Sequence, residues 1–214
     1  MDNRIHPLYK VLKEVEVNSC PLNMNFHCHT KCSDGSLEPE ELVTQANKLK
    51  LAHLAITDHH TVEAYNQVTK YGRNHFGTTN IWSGIEITAL LNNCLVHILG
   101  LGFDHNHEAI KPYIYGQSNY GFKLQAKSVV RSIQEAGGLS ILAHPARYRL
   151  SFKELINYAY ELNFDGIEVW YDYDRQKDWN ANSFVCNEIN KQVSELKLLK
   201  TCGTDTHGSS LLRR

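Results

Sequence analysis

Residues 51–60 read LAHLAITDHH, a short apolar run that ends in an acid and two histidines. Such a run is too short for a surface helix and reads as a buried strand whose carboxyl end carries polar side chains. The same form recurs along the chain, in NFHCHT at 25–30, SILAHP at 140–145, GIEVW at 166–170 and TCGTDTH at 201–207. Together these runs predict strands over 25–29, 53–57, 81–90, 95–103, 139–143, 166–170 and 198–203, with Asn92 and Asn93 as the turn of a hairpin between the third and fourth.

Helical patterns separate the strands. Pro39 suits a first helical position, with Glu40 and Glu41 in the electropositive first turn and Leu42, Ala46 and Leu49 at helical spacing. Phe122, Ala126, Val129, Val130 and Ile133 predict a second apolar face, closed by Gly137 and Gly138. Ser151 and Glu154 form a capping box before Leu155, Ile156, Ala159 and Leu162, and Val185, Ile189, Val193 and Leu196 mark a last helix. These stripes are core. A short helix around Leu8 to Val15 is expected to pack outside the main body, within an N-terminal extension over 1–23; 24–214 is expected to be a single domain. Strand–helix alternation makes the fold α/β with a mostly parallel sheet, either open or closed into a barrel smaller than the ~250 residues of an eight-unit one.

With 214 residues, 22 Lys plus Arg against 23 Asp plus Glu and a net charge of −1, the chain has neither the basic excess nor the basic stripe of a duplex-DNA binder. No stretch is apolar enough to cross a bilayer, and the charged N-terminus lacks a signal-peptide core, so a cytoplasmic protein is expected. The six cysteines form no C-x-x-C pair and read as reduced thiols. A glycine-rich P-loop and a nucleophile elbow are both absent, which leaves nucleotide triphosphate turnover and serine or cysteine nucleophiles unsupported.

The twelve histidines carry the functional signal. His27 and His29 sit two apart on a strand, so both imidazoles face one side while Cys28 faces the other. Asp34 follows in a loop. Asp58, His59 and His60 end the second strand, Glu86 lies on the third, His97 on the fourth, His144 ends the fifth, Glu168 lies on the sixth, and Asp205 and His207 follow the seventh. Nearly every predicted strand thus bears an acid or histidine at or near its carboxyl end, where α/β folds build sites. His6, His53, His75, His105 and His107 read as surface residues.

The motifs HCHTKCSDGSLEPEELV, LAITDHHTV, SGIEI, VHILGLGFD, GGLSILAHPARYR, DGIEVWY and CGTDTHG, in this order from about residue 24, resemble the PHP (polymerase and histidinol phosphatase) family of metal-dependent phosphoesterases. The resemblance is strongest to stand-alone members related to nucleoside bisphosphate phosphatases and RNA 5′-exonucleases. It implies a distorted seven-stranded β/α barrel and up to three divalent metals. His27, His29, Glu86 and Asp205 would hold the first, with Glu86 bridging; Glu86, His97 and His144 the second; Asp34, His59 and His207 the third. Asp58 would orient a histidine from behind, and Arg147, in HPARYR, would clamp phosphate oxygens with its planar fork. Glu168 suits structural support as well as catalysis, and His60 reads as a neighbour of the ligands. Tyr148 suits stacking on a base or packing.

Imidazole and carboxylate donors without thiolate suit manganese, iron or zinc. The implied reaction is hydrolysis of a terminal phosphate of a small phosphorylated substrate, a nucleotide or short single-stranded oligonucleotide, by metal-activated hydroxide. A polymerase-associated, non-catalytic module and a histidinol-phosphate-type phosphatase are the alternatives. The bisphosphate phosphatases carry a helical insertion between the VHILG and AHP strands. Here that interval is short, which implies a more open mouth.

Overall fold

The computed structural model describes residues 6–70, 77–174 and 179–214. In chain order the elements are α1 (Pro7–Leu12), β1 (Met24–Asn25), α2 (Pro39–Lys48), β2 (His53–Ala55), α3 (Glu63–Thr69), β3 (Asn80–Trp82), β4 (Gly84–Leu91), β5 (Cys94–Leu101), α4 (Ala126–Glu135), β6 (Leu139–Leu142), α5 (Phe152–Glu161), β7 (Gly166–Trp170), α6 (Phe184–Glu195) and β8 (Leu199–Cys202), with short 3₁₀ turns at Lys111–Tyr113, Gly121–Leu124 and Pro145–Arg147. No helix among the described residues is long and apolar enough to cross a membrane.

The helices form where local chemistry dictates. The expected capping box of Ser151 with Glu154 opens α5, and a second, Glu38 with Glu41, opens α2, with Pro39 in its first turn. Each helix then buries one face; Leu42, Val43 and Ala46 of α2 are wholly covered, and full burial of a leucine contributes ~1.5–3 kcal/mol. Helix α4 starts at Ala126, so Phe122 is not on its apolar face; it lies in the preceding 3₁₀ turn, 82% exposed. Helix α1 also departs from expectation. Leu8, Leu12 and Val15 join the main hydrophobic cluster instead of packing outside it.

The strands form two open sheets, and neither closes into a seven-stranded barrel. One has the order β1-β2-β3, all parallel; the other has the order β4-β5-β6-β7-β8. Within the second, β5 is antiparallel to both neighbours and β6-β7-β8 are parallel. The strand expected over 81–90 is broken at Ser83, whose hydroxyl donates to the Phe103 carbonyl at 2.6 Å. At the break a side chain on Gly84 would lie 2.4 Å from the Ile56 carbonyl oxygen, so glycine permits the close approach to the residue that follows β2.

The sheets meet at two seams. At one, Phe26 donates to Cys202 at 3.0 Å and Asp205 to His27 at 2.8 Å, past an isolated bridge between Cys28 and Thr206. Gly203 permits this approach, because a Cβ there would stand 2.2 Å from that of His27. At the other, His60 donates to the Glu86 carbonyl and Glu86 to that of Asp58, around a bridge between His59 and Glu86. The polar strand ends of both sheets are brought together by these two seams.

Candidate metal centre

Glu86 lies at the centre, 1% exposed, and its two oxygens face different partners. Oε1 is 2.8 Å from His97 Nδ1 and 3.2 Å from His144 Nε2. Oε2 is 3.3 Å from His27 Nε2, 3.1 Å from His29 Nε2 and 3.4 Å from His59 Nε2. Strand direction explains His97. It sits near the start of β5, not its carboxyl end, and reaches the cluster because β5 runs antiparallel, opposite Thr88 of β4.

Asp205 divides its carboxylate in the same way. Oδ1 faces His27 Nε2 at 3.3 Å and His29 Nε2 at 3.2 Å. Oδ2 accepts from Arg147 Nη1 at 2.9 Å, Tyr171 Oη at 2.8 Å and Arg214 Nε at 3.0 Å. At the mouth, half-exposed Asp34 stands 3.4 Å from His29 Nδ1, 3.6 Å from His59 Nε2 and 3.2 Å from His207 Nε2. All nine candidate ligands therefore converge. Among the described residues, four groups of ligand atoms each lie within 4.8 Å of one another: His27, His29, Glu86 and Asp205; His29, Asp34, His59 and His207; His59, Glu86 and His97; and His27, His144 and Glu168.

The last group contains the residue whose role the sequence left open. Glu168, wholly buried, accepts from His27 Nδ1 at 2.9 Å and from the His144 backbone N–H at 2.8 Å. A carboxylate can only accept here, so His27 carries a proton on Nδ1, which leaves Nε2 facing Glu86 and Asp205, where it holds either a second proton or a cation. His207 is set likewise, donating from Nδ1 to the Asp205 carbonyl at 2.8 Å.

Asp58 holds a loop and does not orient a histidine. Its oxygens accept from the Thr30 N–H and hydroxyl at 2.7 and 2.6 Å and from the Ser33 hydroxyl at 2.7 Å. Strand alternation turns it away from the cluster, onto the segment that carries Asp34. Arg147 is likewise not a free clamp; Nη1 is engaged by Asp205 and Tyr171. Tyr148 packs, donating its hydroxyl to no ligand side chain but accepting the His97 backbone N–H at 2.7 Å. His60 belongs to none of the four groups. His6, expected at the surface, is half-buried and caps α1, while His75 lies outside the described residues.

Burial opposes charge at His29, but Asp205 and Glu86 outweigh it and push its pKa up to about 9. The same contest raises His27 well above its usual range, because Glu168, Glu86 and Asp205 prevail over burial. Burial alone would raise Glu86 and Asp205; instead His27, with His97 and His29 respectively, holds each well below the carboxylate range. The buried acids thus require positive charge among them, which protons supply when cations do not.

The donor geometry fits cations. His27 Nε2, both nitrogens of His29, His97 Nδ1 and His144 Nδ1 are buried and have no aligned hydrogen-bond partner among the described residues. Close nitrogens and carboxylate oxygens that are out of line for hydrogen bonding suit ligands arranged around shared ions. Three residues of this region, His60, His144 and Asp205, have φ of 53°, 27° and 50°, a strain of ~1–3 kcal/mol each that concentrates at functional sites.

The PHP domain profile matches residues 25–174. The chain is 35% identical over 94 residues to the 5'-3' exoribonuclease Rnm of Salmonella typhimurium, a match covering 44% of this chain and 32% of that protein. It is 32% identical over 92 residues to the 3',5'-nucleoside bisphosphate phosphatase of Chromobacterium violaceum, covering 41% and 30%. The matched stretches thus span about a third of these curated relatives. A Bifidobacterium adolescentis structure, assigned as a metal-dependent phosphoesterase, superposes with a TM-score of 0.70 at 22% identity, covering 87% of this chain and 88% of the other.

Proposed function

The chain belongs to the PHP domain family, and from that premise we propose that it is a metal-dependent phosphoesterase, a hydrolase acting on a terminal phosphate of a nucleotide or short single-stranded oligonucleotide. The observation that carries this reading is the divided carboxylate of Glu86, with His97 and His144 on one oxygen and His27, His29 and His59 on the other. His27, His29, Asp205 and Glu86 would hold one divalent ion, Glu86, His97 and His144 a second, and Asp34, His59 and His207 a third, with manganese, iron and zinc all suited to these donors. Such ions supply Lewis acidity, lowering the pKa of water and neutralising charge on phosphate oxygens.

The protein's own groups prepare the site. Glu168 keeps the His27 lone pair aimed inward, as a carboxylate behind a ligating histidine does. Arg147, Tyr171 and Arg214 hold the outer oxygen of Asp205, and the Arg147 side chain, 30% exposed, would offer the remaining edge of its guanidinium to phosphate. Asp58 fixes the loop that brings Asp34 to the mouth. The seams at Cys28–Thr206 and His59–Glu86 support reading the two sheets as arcs of one distorted seven-stranded ring, with β3 and β4 counted together. Residues 24–214 would form the catalytic unit.

The test is hydrolysis of a chromogenic phosphate monoester, then of a panel of phosphorylated metabolites and 5′-phosphorylated oligonucleotides, with manganese and after chelation. Manganese-dependent turnover abolished by chelator is expected. A protein that retains metal yet hydrolyses none of these would instead be a non-catalytic module.

A further inference from the structure

Between β5 and α4 the chain reads YGQSNYGF at 115–122, and three of its rings are turned to solvent: Tyr115 is 69% exposed, Tyr120 87% and Phe122 82%. An exposed aromatic costs solubility, and three within eight residues of one segment suit a binding surface. The segment is tied to the metal centre. Gly116 donates to the carbonyl of His60 at 2.6 Å, and Tyr115 bridges Thr61, so the segment is anchored directly after the candidate ligand His59. His60 is the post. Its ring is buried, its Nε2 accepts from the backbone N–H of Thr88 at 3.3 Å, and its Nδ1 faces the side-chain amide of Asn119 at 3.5 Å. Thr88 is the register partner of His97, another candidate ligand. Farther along, Gln125 bridges Leu90 of β4. Four residues of strand place Leu90 ~13 Å beyond Glu86, so the segment follows the rim of the site outward from the metal ligands.

We propose that Tyr115, Tyr120 and Phe122 form a stacking wall that receives the bases of a single-stranded nucleic acid whose terminal phosphate enters the metal centre. This rests on the phosphoesterase reading and narrows its substrate. Every base presents a π-face, so rings stack on it without regard to sequence, and a flat aromatic loses little conformational freedom on doing so. Gln117, Ser118 and Asn119 lie between the rings, which favours an amphipathic ligand over an apolar one. Lys123 and Lys127, both exposed, follow on the same path and suit a phosphate backbone. A net charge of −1 keeps that electrostatic contribution small, so short strands held by stacking are favoured over long duplexes.

The probe is a 5′-phosphorylated tetra-adenylate labelled at its 3′ end, its binding followed by fluorescence anisotropy with the wild type and with Tyr120→Ala/Phe122→Ala. Both side chains are exposed, so the variant is expected to fold; its thermal midpoint checks this. Affinity should fall about ten-fold or more, and Tyr120→Trp/Phe122→Trp should retain it. In parallel, the ratio of kcat/KM for the tetra-adenylate to that for ribose 5-phosphate should fall about ten-fold or more in the alanine variant. Equal affinity and an equal ratio in wild type and alanine variant overturn the wall. If neither ester is hydrolysed, the phosphoesterase reading fails, while the anisotropy comparison still decides whether the rings bind bases.

Discussion

Glu168 spans two strand ends, holding a ring nitrogen of His27 with one oxygen and the backbone N–H of His144 with the other. Removing it frees the His27 ring to take the other tautomer and loosens the turn that presents His144. Glu168→Ala is therefore expected to weaken metal affinity by about 10–100-fold, with Glu168→Gln recovering part, as read by competition with a metal-sensitive dye. Unchanged affinity in the alanine variant would reduce Glu168 to packing. Arg147 acts on a different quantity. Asp205 keeps Tyr171 and Arg214 when Arg147 is lost, so Arg147→Ala should retain metal, while kcat/KM on phosphate esters falls about ten- to a hundred-fold and Arg147→Lys recovers only part. A kinetically silent Arg147→Ala would contradict this. At this scale, residue type and strand parity bring forward the acids and histidines near the strand ends, and the resemblance to the PHP family singles out nine of them as candidate ligands. The supporting roles of Asp58 and Glu168 were not legible, because parity tells which face a side chain takes but not which neighbour the folded chain puts there.

At the scale of elements, local signals survived and long-range ones did not. The capping box of α5, the start of α2 at Pro39 and the hairpin between β4 and β5 depend on residues a few positions apart, and they form as the sequence indicates. The break at Ser83, the burial of α1 and the meeting of β1 with β8 depend on contacts between distant segments, which periodicity does not encode. Gly203 is where such a contact is tightest. An added Cβ would meet His27 at its Cβ, Cα and backbone nitrogen, all under 3.0 Å, and backbone atoms cannot swing aside. Gly203→Ala is expected to separate β1 from β8, at a cost of about 1–3 kcal/mol, and to displace His27 from Glu86. Thermal unfolding should show a lowered midpoint and elemental analysis a reduced metal content. A variant with wild-type values of both would show that the seam does not seat the ligand.

Across the whole molecule, the cluster makes stability depend on pH and on metal together. His29, raised to about 9 in the absence of metal, contributes stability that is complete below about pH 6.5 and is lost as pH rises through 9. His60, lowered to about 4 by burial and by His59 and His97, acts in the opposite direction: stability is lost as pH falls from about 6.5 through 4. Metal-free protein should thus be most stable near pH 6.5. Cations displace the protons of the cluster, so the gain in thermal midpoint on adding manganese should grow from pH 6.5 to 9. A gain that is constant across this window would mean that the titrating histidines are not the ligands.

In the proposed centre one carboxylate serves two ions, and electron paramagnetic resonance of the manganese-loaded protein tests this most directly. The divided contacts of Glu86 predict a spectrum of exchange-coupled manganese in the wild type, replaced in Glu86→Ala by uncoupled manganese or by loss of the metal. Only uncoupled manganese in the fully loaded wild type, or a coupled spectrum that persists in Glu86→Ala, would contradict it.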